Sequence, residues 1–116
     1  MNTSSLSDVS TELLRARRQD IAAAMARYLA EPDAIEPSAE DNQAANSLVD
    51  AMIASFSDPD AAAKLLAAHP VSRPYYAQFG DGLTPILRDV MGEAADPSFL
   101  SRSVDGYWRA VRSLPA

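Results

Sequence analysis

The chain has 116 residues, 47% of them apolar and 22% charged, which suits one globular domain with a single core. Its net charge of −6 offers nucleic acid and anionic membranes no electrostatic footprint, and no apolar run approaches the ~20 residues that span a bilayer. The absence of cysteine excludes disulfides, thiol catalysis, cysteine-ligated metal and thioether-attached prosthetic groups.

The first five residues, Met1-Asn2-Thr3-Ser4-Ser5, lack the basic and apolar regions of a secretory signal, so a cytoplasmic protein is expected. Residues 1–6 read as a flexible lead-in. A first helix, capped by Ser7 or Ser10, is predicted to run to about Ala30 with Leu14, Ile21, Met25, Tyr28 and Leu29 inward. Arg15, Arg17 and Arg18 form the sole basic run, and Glu12 and Asp20 flank it as on a solvated helix face. Pro32 and Pro37 bound a loop that cannot be regular helix.

Ser38-Ala39-Glu40-Asp41 reads as a capping box with Asp in the reciprocal position, opening a second helix. The stripe of that helix is Ala45, Leu48, Val49, Met52, Ile53 and Phe56. Asp58-Pro59 predicts another start, because Pro at the first helical position gives up an amide that has no partner anyway. The short third helix runs to about Ala68 with Leu65 and Leu66 inward, and Pro70 ends it.

Pro74 opens the fourth helix, and Gly92 supplies its left-handed cap. Pro85 lies inside its apolar stripe with Gly80 and Gly82 just upstream. The expectation is a kink between Gly80 and Thr84, or a break with Thr84 capping a second segment. Asp96-Pro97 opens the last helix, which should end near Ser113. The stretch from Arg73 to Leu114 holds six of the eight aromatic side chains, so a C-terminal helical hairpin is the expected centre of the core. No segment alternates with period two, and no strand is expected.

The C-terminal third resembles the last two helices of bacterial globins. The residues that carry the likeness are Arg73-Pro74, Tyr76, Phe79-Gly80-Asp81-Gly82-Leu83, Leu87, Met91-Gly92-Glu93-Ala94, Asp96-Pro97-Ser98-Phe99-Leu100 and Tyr107-Trp108-Arg109-Ala110. Phe56-Ser57-Asp58-Pro59-Asp60 is similar to the boundary between that family's distal-side and proximal-side helices. The resemblance spans about 60 residues. It implies an all-α, globin-like bundle of about five to six helices in residues 1–116, reduced between the first two helices.

It also implies haem held by a histidine late in the proximal helix, and His69, the sole histidine, ends the third helix. The pocket residues implied beside it are Met52, Phe56, Leu66, Tyr76, Phe79 and Leu83. A diatomic ligand such as oxygen would bind at the iron, with Gln43 or Asn42 in place of a distal histidine. The chain departs from the family in a short corner between His69 and Pro74, in Pro70 directly after His69, and in Ile35 where the family sets a phenylalanine against the haem. These departures support an alternative, a haem-free globin-fold sensor or protein-interaction module with an apolar ligand pocket between the first, second and fourth helices.

The residues themselves also allow His69 to be an exposed partner of its helix's terminal carbonyls. Tyr75, Tyr76, Met25 and Met52 can equally be packing residues. No phosphate loop, di-iron Glu-x-x-His pair or nucleophile elbow is present, so no hydrolytic or transfer enzyme is expected. A homodimer through the last two helices is a further expectation, with Trp108 or Phe99 as anchors if exposed.

Overall fold

The computed structural model describes residues 11–56 and 58–114, and all its regular structure is helical. Residues 11–16 form α1, followed by α2 (Arg18–Leu29), α3 (Ala39–Ala54), α4 (Pro59–Ala68), α5 (Arg73–Met91) and α6 (Pro97–Arg112). The predicted first helix is thus α1 and α2, separated by a turn at Arg17; its proposed caps, Ser7 and Ser10, lie outside the described residues. The lead-in lies outside them too.

The punctuation read from the sequence sits where local chemistry puts it. Ser38 accepts from the Asp41 amide while Asp41 accepts from the Ser38 amide, at 3.0 and 2.9 Å. Asp58 accepts from the Asp60 amide, and Asp96 from the Phe99 amide. Pro59 and Pro97 follow in the first turn. Gly92 ends α5 with φ 59°, which a residue with a Cβ rarely adopts. A 3₁₀ turn, Gly92–Ala94, then leads towards α6, which ends at Arg112 with Ser113 as its cap.

The core is continuous. Ile21 and Met25 of α2, Leu48, Val49 and Met52 of α3, Leu66 of α4, Phe79, Leu83 and Leu87 of α5, and Tyr107 of α6 are all buried. The C-terminal hairpin is part of it: α5 packs on α6, and the Phe79 and Tyr107 rings lie 4.8 Å apart. The α2–α3 and α3–α4 pairs are also extensive contacts.

Three expectations change. Tyr28 is 47% exposed, not core. It lies over Gly82, where a Cβ would come within 2.7 Å of its ring. Gly80 gives the same kind of seat to the Trp108 ring of α6, so the two glycines admit neighbouring rings rather than break the helix. Indeed α5 is one helix of 19 residues through Pro85, and Thr84 caps nothing. Proline deprives the carbonyl four residues back, that of Asp81, of its helical donor; both residues are exposed, where water can replace the bond. In the third place, Leu65 is only half-buried; Phe99 is buried beside Phe56, as its place in the apolar stripe implies, and so is no surface anchor.

Candidate functional site

The residues expected to hold a cofactor are not gathered around one opening. Met52, Phe79 and Leu83 are fully buried within the closed core, between the helices where an apolar ligand pocket was expected. Phe56 is half-buried against Phe99 and beneath the Arg102 guanidinium, 5.4 Å above its ring. Leu66 and Tyr76 face a different opening, described below.

His69 caps the C-terminus of α4, its amide donating to the Leu65 carbonyl at 3.0 Å, and the residue is exposed. It borders a hollow of about 210 Å³ shared with Gln43, Asn46, Ser47, Asp50 and Leu65. Small-molecule sites usually occupy about 300–1,000 Å³ and are mostly apolar. A porphyrin needs a slot between distal and proximal walls, yet α3 and α4 are packed against one another. The residues around His69 therefore do not form a seat for haem in this arrangement.

A second hollow, about 560 Å³, lies between the 31–37 loop and the starts of α3 and α5. Glu31, Glu36, Glu40 and Asp41 line it with Tyr75. The Tyr75 hydroxyl donates to Asp41 at 2.6 Å. That bond, with the Ser38 amide, holds the Asp41 carboxyl below the ordinary carboxylate range, and the same bond pushes the Tyr75 hydroxyl well above its ordinary value. Burial raises Tyr107 likewise, its hydroxyl donating to the Tyr76 carbonyl at 2.6 Å.

The signs are separate. A lowered Asp41 contributes stability above about pH 4, lost as pH falls through its depressed pKa. Raised Tyr75 and Tyr107 contribute stability below about pH 10, lost as pH rises through their folded values. Tyr75→Phe should cost about 1 kcal/mol at neutral pH and flatten the acid limb of a plot of Tm against pH. An acid limb unchanged by the substitution would separate Asp41 from Tyr75.

A third opening is an apolar groove of about 690 Å³ at one end of the bundle. Leu66 and Ala67 of α4, Tyr76 and Ala77 of α5, Trp108 and Val111 of α6, and Pro70 and Leu114 beside them form its walls. Trp108 is held by its own helix neighbour, edge-on to Tyr107 at 5.3 Å, and by the Gly80 seat. Among the described residues, Arg73 and Arg112 are the only charged ones in the lining, in a chain with an excess of acids. The described ion pairs, Arg17–Asp20 and Arg18–Asp50, use neither of them. An apolar floor with aromatic walls and two available guanidiniums can hold an apolar group that carries negative charge beside it.

Trp108 stands out in the sequence, whereas Arg73 and Arg112 look like ordinary helix-terminal cations. Their meaning depends on α4, α5 and α6 meeting at one end. No protein-family model, curated protein or solved structure matches this chain.

Proposed function

We propose that this chain is a haem-free, globin-like helical module that binds a partner through the groove between α4, α5 and α6. The observation that carries the reading is the groove itself, with half-buried apolar walls from Tyr76, Trp108, Val111 and Leu114 between two arginines that have no carboxylate partner among the described residues. The direct packing of α3 on α4 and the exposed position of His69 support the haem-free alternative over an iron-binding one. The all-helical order, with a proline-opened fifth helix and an aromatic-rich sixth, agrees with the globin likeness. The chemistry is recognition: apolar burial supplies affinity and the guanidiniums select an acidic flank.

The anionic naphthalene dye 1-anilinonaphthalene-8-sulfonate tests the groove, because it pairs an aromatic body with a sulfonate. At low micromolar protein its emission should rise saturably and quench Trp108, the only tryptophan. Val111→Glu should weaken that binding about tenfold, or about 1.4 kcal/mol. In parallel, haemin should keep its free spectrum. A sharp Soret band abolished by His69→Ala would overturn the haem-free reading, and dye binding indifferent to Val111→Glu would overturn the groove.

A further inference from the structure

The segment between α2 and α3 displays the most exposed large apolar side chain among the described residues. Ile35 is 96% exposed. Around it stand Glu31, Asp33 and Glu36, all exposed and in none of the described ion pairs. The loop is nonetheless held in shape, because the Arg27 guanidinium donates to the carbonyls of Glu31, Ala34 and Ile35 at 2.9, 3.0 and 3.4 Å. A braced loop has already given up much of the freedom that binding would otherwise remove. An isolated exposed isoleucine is ordinary, but one fixed at the tip of an acidic arc is a shaped, charged knob.

The groove is its complement in each respect: concave, apolar at the floor, aromatic at the wall, and cationic at Arg73 and Arg112. Both features border the first turn of α5. Pro74 and Tyr75 line the hollow beside the loop, whereas Arg73 and Tyr76 line the groove. A two-fold axis near that turn would let each copy's loop enter the other's groove, leaving neither feature uncovered.

We infer that the groove's partner is a second copy of this chain, with Ile35 of each protomer seated beside Trp108 of the other and the loop's carboxylates facing Arg73 and Arg112. The inference rests on the groove being the binding surface, and it names the occupant. Dimer formation buries Trp108 and displaces solvent from the apolar walls, while the opposed charges fix the register. Salt weakens the contact by screening the rim charges.

Sedimentation equilibrium across a concentration series tests it, with circular dichroism melts to show that each variant is folded. The wild-type chain should dimerise, and its Trp108 emission should shift to the red on dilution over the same range. Ile35→Asp and Val111→Asp should each raise the dissociation constant roughly tenfold or more. An equimolar mixture of the two variants should associate better than either alone, since the intact groove of one meets the intact loop of the other. Ile35→Asp should also leave dye binding at the groove intact.

A chain that stays monomeric at millimolar concentration overturns the inference while leaving the dye result, and so the groove, standing. A dimer broken by Val111→Asp but not by Ile35→Asp overturns the loop as occupant. A dimer indifferent to both variants overturns the interface altogether.

Discussion

Phe79→Ala should destabilise the fold by about 3–5 kcal/mol, the range for emptying a buried aromatic site. Phe79 is fully buried in the middle of α5, and its ring meets that of Tyr107 at 4.8 Å with a 36° tilt. The substitution removes transfer energy and leaves a void beside the Tyr107 ring in the buried core. Such pairs add about 0.5–1.5 kcal/mol beyond area burial. Against a total of about 5–15 kcal/mol for a domain, this is a large fraction. Urea denaturation should therefore show a midpoint lower by roughly 2 M, with the slope unchanged. A loss below about 1 kcal/mol would mean that the ring is not in the core.

Gly80→Ala and Gly82→Ala should have opposite outcomes although only one residue separates them. Alanine gains about 1 kcal/mol over glycine in a helix interior. At Gly80 the new methyl falls on the Trp108 indole, which is wedged between α5 and Tyr107, so the overpacking cost of about 1–3 kcal/mol applies. The net result is a loss of up to about 2 kcal/mol and a shifted Trp108 emission. At Gly82 the methyl meets the ring of Tyr28, which is nearly half in water and can swing outward. That variant should be neutral or more stable in thermal melts. Equal effects at the two sites would show that Trp108 is as free to move as Tyr28. The Gly80 result also bears on the groove, because the displaced ring is one of its walls.

These two glycines mark the limit of what was legible in the sequence. The helix starts at Ser38, Asp58 and Asp96 and the stop at Gly92 could be read because each is decided within four residues by a side chain, a proline or a backbone angle. Stripes such as Leu48, Val49, Met52 and Ile53 were legible for the same reason: helical periodicity alone puts them on one face. What could not be read depends on which helix lies opposite. Gly80 looked like a hinge until α6 set an indole on it, and Tyr28 looked like core until its ring was found across Gly82.

The site was less legible than the fold. His69 could be placed at its helix end, but whether that end faced a slot or water was set by how closely α4 lies on α3. The bond from Tyr75 to Asp41 crosses 34 positions, and neither residue signals the other locally. Ile35 stands where the globin likeness calls for an aromatic against the haem, and the departure shows in the sequence. In the folded chain it points into solvent, and the groove opens elsewhere, among α4, α5 and α6.

The guanidinium of Arg27 gathers three carbonyls from a stretch that has no helix or strand of its own. Beyond one backbone turn bond, from the Ala34 amide to the Glu31 carbonyl, order in that arc is therefore delegated to a side chain that takes no part in the hydrophobic interior. A lysine there could not reproduce the planar fork, and the arc would sample many shapes while the remainder melted as before. Evolution could thus tune how firmly the acidic tip is presented, and so the on–off balance of any contact it makes, by a single codon and without touching the scaffold.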